Sequence, residues 1–236
     1  MPDAETLIPT EPSGDASSDA SAAPVRKRPK PGERRVQILQ ALASMLEQPG
    51  AERITTAALA ARLDVSEAAL YRHFASKAQM FEGLIEFIEQ TVFTLVNQIA
   101  EREGAAEAAE SSGAAEAVEG RAQAGVRHAG KVVAMLVQFA EKNPGMTRVM
   151  VGDALVFENE RLQQRMNQFF DKVESILRQS LRGPALQNGS VQPTVDAQVR
   201  ASVLTAFVAG RLQRFARSGF KRLPSEHLEA SLAQML

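Results

Sequence analysis

Residues 53–81, RITTAALAARLDVSEAALYRHFASKAQMF, restrict what this chain can fold into more than any other stretch. Thr55 or Thr56 can cap a helix through Leu59 and Leu63, because a threonine hydroxyl accepts from amides left free in a first turn. Asp64 and Val65 break that helix. Ser66 then caps a second one, with Glu67 placed against its positive end. On this second helix Leu70 and Phe74 lie four residues apart and face inward, which leaves Glu67, Ala68, Tyr71 and Arg72 facing outward. Ser76 and Gln79 form an S-x-x-Q capping box that opens a third helix. Three helix starts in such quick succession, two of them separated by a tight turn, are the layout of a helix-turn-helix unit.

A duplex presents closely spaced phosphates, and a helix N-terminus flanked by hydroxyls and cations can hold one. Thr55, Thr56, Ser66, Tyr71 and Lys77 are therefore candidate phosphate contacts. Ala68 and Ala69 are small enough to let the backbone approach a major groove, and Arg72 has the reach and chemistry for guanine. His73 is a phosphate-adjacent or surface histidine. An ordinary three-helix core with a solvated outer face is the alternative, since helix-turn-helix pairs also serve as structural units.

The chain has 236 residues, 44% apolar and 23% charged, with formal net charge −1. That is enough material for one or two domains with a buried core. The near-neutral total hides an asymmetry: residues 1–24 carry Asp3, Glu5, Glu11, Asp15 and Asp19 and no base, whereas Arg26, Lys27, Arg28, Lys30, Arg34 and Arg35 follow with only Glu33 among them. A basic arm directly before a DNA-reading unit can track phosphates, and a solvated linker is the other reading. Prolines and the Ser/Ala/Asp-rich run predict that residues 1–32 are a disordered tail. There is no cysteine, which excludes disulfides, thiolate metal sites and cysteine catalysis. No apolar run approaches the ~18 residues of a membrane span, and no secretory signal opens the chain. A soluble, cytoplasmic protein is expected.

Beyond the reading unit the periodicity is helical throughout and no strand-like alternation occurs, so the expected fold is all-α. Residues 36–47 form a first helix, ended by Pro49 and Gly50. The helix opened at Ser76 runs to about residue 100, with Phe87 partly outside its apolar stripe. Residues 101–126 are rich in Ala, Glu and Gly, and Gly104, Gly113 and Gly120 predict a flexible connection. Helices return over 127–143, 146–157, 160–181 and 195–218, with a loop from Gly183 to Pro193. Leu162, Met166, Phe169, Val173 and Ile176 give one seam, and Val199, Val203, Ala206 and Gly210 another, which together predict a four-helix interface across a two-fold axis. The expected division is a tail over 1–32, a helix-turn-helix domain over 33–80, and a helical dimerisation and partner-binding domain over 81–236.

The stretch 53–81, with LYRHF followed by SK, resembles the signature of TetR-type regulators. LIEFIEQ at 84–90, the run from Glu141 to Phe170, and RFARSGFKRLP at 214–224 extend the likeness over residues 34–230, and these resemble the nucleoid occlusion factors built on that fold. The resemblance implies a homodimer on palindromic chromosomal sites, without cofactor or metal, that antagonises polymers of the tubulin-like division protein FtsZ when bound to double-stranded DNA. It also implies that Phe87, Leu95, Lys142 and Asn143 line a groove for the FtsZ tail, higher-order assembly of dimers on DNA, and a place at the nucleoid. The competing reading is a TetR-type repressor released by a small ligand. An enzyme is not expected: His73, His128 and His227 lack metal-ligand spacing and neighbouring nucleophiles, so each reads as a surface or phosphate-adjacent histidine.

Overall fold

A computed structural model describes residues 32–48, 54–110, 114–187 and 189–236. The expected disordered tail, its basic residues Arg26 to Lys30, and the Pro49–Gly50 stop lie outside the described residues. Among those described, all regular structure is helical: α1 (Glu33–Leu46), α2 (Thr56–Arg62), α3 (Glu67–Tyr71), α4 (Lys77–Glu110), α5 (Ala114–Lys142), α6 (Pro144–Met150), a 3-10 turn (Asp153–Leu155), α7 (Glu160–Gln187), α8 (Pro193–Arg217) and α9 (Leu228–Met235).

Helices α1 to α3 and the start of α4 form the reading unit, closed over Ile38, Leu42, Leu59, Leu70, Phe74 and Phe81. From there α4 leaves the unit and α5 returns beside it. The core continues without interruption through Ile88, Val92, Val132 and Leu136 into α7 and α8. Burial along α4 passes through Val92 to Val96, so the expected positions Leu95 and Ile99 are only half-buried.

The expected flexible connection over 101–126 is corrected. Helix α4 runs on to Glu110 and α5 begins at Ala114. Alanine and glutamate are strong helix formers, and one glycine in a helix costs only about 1 kcal/mol against alanine. Tertiary contacts offset that cost. Glu103 is buried and is held by Lys131 and by Arg127 Nε at 3.2 Å. Burial pushes its carboxyl up, but the hydrogen bonds and charges of Lys131 and Arg127 outweigh this and hold it below the usual carboxylate range.

Helix α7 likewise runs through Gly183 and Pro184, where a loop was expected. A proline here removes the amide that would reach the carbonyl of Ser180. That carbonyl faces α5 at Gly125, where an added Cβ would lie 2.2 Å from the Ser180 oxygen. Pro184 is itself buried in the last turn of α7, so packing outweighs the lost bond. The short helix expected over 146–157 ends earlier, at Met150, and the chain turns through Gly152 with φ +82°.

The two predicted seams have different fates. Leu162, Met166, Phe169 and Val173 on α7 are buried inside the chain, so the seam on that helix is core. On α8 the expected stripe faces outward: Val199 is 56% exposed, Val203 50%, and Ala206 and Gly210 are exposed as well.

Candidate nucleic-acid interface and partner groove

The reading unit is built by its caps. Thr55 Oγ1 accepts from the amide of Ala58 at 3.1 Å, and Ser66 Oγ accepts from the amide of Ala69 at 3.3 Å. Both hydroxyls thus open a helix at the outer surface. The turn between α2 and α3 passes through Asp64 at φ +53°, a left-handed conformation that aspartate tolerates, and the amide of Val65 donates back to Ala60 at 3.0 Å. Ser76 Oγ accepts from the amide of Gln79 at 3.2 Å, while Gln79 Oε1 accepts from the amide of Ala75 at 2.8 Å. The capping box therefore closes one residue earlier than its usual form.

Helix α3 spans only five residues. Leu70 and Phe74 are buried at its base, as the spacing required. Glu67, Ala68, Tyr71 and Arg72 face solvent, Ala69 and His73 are half-buried, and Tyr71 is 46% exposed although it is the chain's only tyrosine. An exposed phenol beside an exposed guanidinium on a short capped helix is suited to a phosphate and a base edge. Thr55 and Ser66 are exposed near it, and Thr56 Oγ1 donates to Glu67 Oε2 at 2.5 Å, which holds the first helix against the second.

Two cations have roles that local pattern did not signal. Arg35, grouped with the basic arm by sequence, belongs to α1: its guanidinium lies 4.2 Å from the Phe74 ring centroid and donates to the His73 carbonyl at 2.7 Å, closing the end of α3. Lys77, expected as a free phosphate ligand, pairs with Glu158 at 2.5 Å, a carboxylate just before α7. Arg161 pairs with Glu82, and Arg165 with Glu89 at 2.6 Å, so three ion pairs in ascending register bind α7 to α4. Glu158→Gln is expected to free Lys77 and tighten DNA binding severalfold at low salt; affinity unchanged in a salt series shows that Lys77 meets no phosphate.

Of the partner candidates, Phe87 is 46% exposed on α4 although its neighbours Leu84, Ile85 and Ile88 are buried. Lys142 is exposed at the last position of α5, and Asn143 is half-buried as the residue that opens α6. The Asn143 amide donates to the Phe139 carbonyl at 2.7 Å, and its carbonyl accepts from the Thr147 amide at 2.9 Å. Helices α4 and α5 are antiparallel, registered by Glu103 against Arg127 and Lys131. Counting equal rises from that point, Phe87 falls level with Asn143. Leu95 is half-buried about two turns further along α4.

The three histidines remain apart. His227 is exposed at φ +53° and His73 belongs to the end of α3. His128 departs from the surface expectation: Nδ1 lies 2.7 Å from Ser180 Oγ, and Nε2 is buried with no hydrogen-bond partner among the described residues. Burial lowers its pKa, against the opposing charge of Glu103. Among the described residues no His, Cys, Asp and Glu group is arranged to hold a metal, and no helix is long and apolar enough to cross a membrane.

Residues 38–84 match the family described as bacterial regulatory proteins of the tetR family, and residues 122–236 match the tetracyclin repressor-like C-terminal domain of SlmA-like proteins. The nucleoid occlusion factor SlmA of Idiomarina loihiensis is 47% identical over 197 residues, covering 84% of this chain and 90% of that protein. The chain belongs to the SlmA family of nucleoid occlusion factors. SlmA of Vibrio cholerae is also 47% identical over 197 residues, 83% of this chain and 90% of its own length. The SlmA fold is shared with more distant regulators: the TetR-family regulator PfmR of Thermus thermophilus has a TM-score of 0.60 at 19% identity, covering 85% of this chain and 97% of that one. FadR of Bacillus subtilis, solved with stearoyl-CoA, has the same TM-score of 0.60 at 14% identity, covering 85% and 96%. Members of the SlmA and TetR families are DNA-binding regulators, so this chain is a regulator and not an enzyme.

Tyr71→Ala is expected to weaken DNA binding about tenfold and to make log K less steep in log salt by roughly one phosphate contact. Fluorescence anisotropy across a salt series measures both, and an unchanged slope and affinity removes Tyr71 from the interface.

Proposed function

We propose that this chain acts as a homodimer on palindromic chromosomal sites and, while bound there, antagonises FtsZ polymers so that a septum does not close over the nucleoid. Exposed Phe87, level with Lys142 and Asn143 between α4 and α6, carries this reading. An aromatic ring in solvent beside a cation and an amide fits an extended peptide with apolar and acidic groups. The outward stripe of α8 supplies the second copy, because valines with Ala206 and Gly210 let a symmetry-related helix approach closely. Two copies give two short reading helices, which a palindrome requires.

The test is sedimentation of FtsZ polymers with this protein, with and without a palindromic duplex selected by the protein from a random pool. A fall in pelleted FtsZ that depends on duplex supports the reading; an identical pellet under all conditions ends it. In the same assay Phe87→Ala is expected to abolish the fall while leaving anisotropy on the duplex unchanged. Loss of duplex binding as well places Phe87 in the fold and not in the groove.

One observation favours a ligand-released repressor instead. A cavity of about 430 Å3 lies between α4, α5 and α7, lined by Asn97, Glu103, His128 and Ser180 among others. A metabolite that stabilises the protein against heat and releases it from the duplex would support that reading.

A further inference from the structure

The end of α8 and the loop after it carry cations that neither the reading helix nor the groove uses. No Asp or Glu occurs between Asp196 and Glu226, whereas Arg200, Arg211, Arg214, Arg217, Lys221 and Arg222 do. Arg211 is engaged, donating to the Glu226 carbonyl at 2.6 Å and to Ser231 Oγ at 3.1 Å. Arg214, Arg217, Lys221 and Arg222 are exposed, and none forms an ion pair with another described residue. The loop that presents the last two is fixed. Ser218 Oγ accepts from the amides of Lys221 at 3.1 Å and Arg222 at 2.9 Å, and the Arg148 guanidinium sits 5.1 Å from the Phe220 ring centroid.

The helix directions place this patch. Helix α7 starts beside the reading unit through Lys77 and Glu158 and runs away from it, following the ion pairs along α4. Helix α8 comes back antiparallel to α7, with Gln198 bonded to Glu174 and Arg178. Its C-terminal turn therefore ends at the reading-unit end of the body. The following loop docks on the close of α5, where Glu141 Oε1 accepts from the Ser225 amide at 2.9 Å, and α6 beside it packs on α1.

We propose that Arg214, Arg217, Lys221 and Arg222 form a second, sequence-independent phosphate-contact surface for duplex DNA, on the C-terminal body. Four unpaired cations without an intervening acid attract a polyanion and release its counterions when it binds. The family's ligand is such a polyanion, and the patch lies at the end of the body from which the reading unit projects. A surface of this kind adds affinity on any sequence and leaves base selection to α3.

The test combines Arg214→Gln, Arg217→Gln, Lys221→Gln and Arg222→Gln in the full chain, with anisotropy on the selected palindrome and on a random duplex of equal length across salt. Affinity is expected to fall by the same factor on both duplexes, with the slope of log K in log salt shallower by about 0.9 for each phosphate that the four cations neutralise. Arg214→Lys, Arg217→Lys and Arg222→Lys together are expected to keep the wild-type slope. Wild-type slope and affinity in the glutamine variant overturn the proposal; if FtsZ antagonism alone is then abolished, the patch serves a protein partner. Acetic anhydride labelling of wild-type Lys221 is independent of any variant's folding. Protection by duplex at low salt, relieved at high salt, is expected, and equal labelling with and without duplex also overturns the proposal. Failure of the wild-type protein to bind either duplex instead refutes the DNA-binding role itself.

Discussion

Gly145→Ala is expected to lower stability by about 3 kcal/mol and to weaken DNA binding with it. A Cβ built on Gly145 would lie 2.0 Å from the carbonyl oxygen and 2.9 Å from the carbonyl carbon of Ala43, both backbone atoms of α1. Backbone cannot turn aside as a side-chain tip can, so α6 and α1 must separate, and insertion into a packed interior typically costs about 1–3 kcal/mol, occasionally more. The junction joins a helix of the reading unit to one of the body, where Leu42, Leu46 and Val149 are fully or almost fully buried. Two controls bracket the effect. Gly83→Ala meets only side chains, that of Leu39 nearest at 3.1 Å, and should cost little, while Gly104→Ala meets nothing within 4 Å and should stabilise α4 by up to about 1 kcal/mol. Urea midpoints measure all three. A Gly145→Ala midpoint equal to wild type would mean that α1 and α6 are not held together as described.

Val203→Arg is expected to turn a dimer into a folded monomer and to cost about 10²- to 10⁴-fold in affinity for a palindromic duplex, the weakening that follows when linked half-sites become independent. Val203 is 50% exposed in the single chain, so arginine there meets no internal packing and the monomer should retain its unfolding midpoint. Against a second α8 packed on Val199, Ala206 and Gly210, the same arginine buries an unpaired charge. Analytical ultracentrifugation gives the oligomeric state, and anisotropy on a palindrome and on a single half-site gives the binding. The variant should bind both duplexes alike. A variant that still sediments as a dimer moves the interface away from α8.

The reading unit was legible because its signals are local. Thr55, Ser66 and Ser76 cap within three residues of themselves, and Asp64 makes its turn with its own backbone. Signals that depended on a distant partner were missed. Arg35 looks like part of a basic arm until Phe74 and His73 lie under it, and Lys77 looks like a free phosphate ligand until Glu158 closes on it. Glycine content suggested a connection over 101–126, but Glu103 with Arg127 and Lys131 decides that region from across the helix pair. Periodicity showed that α7 and α8 each carry an apolar face; it could not show that one face is filled by the chain itself and the other is left outward. The groove candidates Phe87, Leu95, Lys142 and Asn143 came from resemblance, since an apolar residue and a lysine far apart in sequence have no local mark of partnership.

The ion pairs that tie α7 to α4 affect how DNA binding should be read in solution. Each is partly open to water, and salt weakens such pairs as it weakens phosphate contacts. Rising ionic strength therefore acts twice, once at the duplex and once on the brace that fixes the angle of α4 beneath its reading helix. The total salt dependence of this protein should exceed the number of phosphates it touches, and only differences between variants that share the brace report individual phosphates.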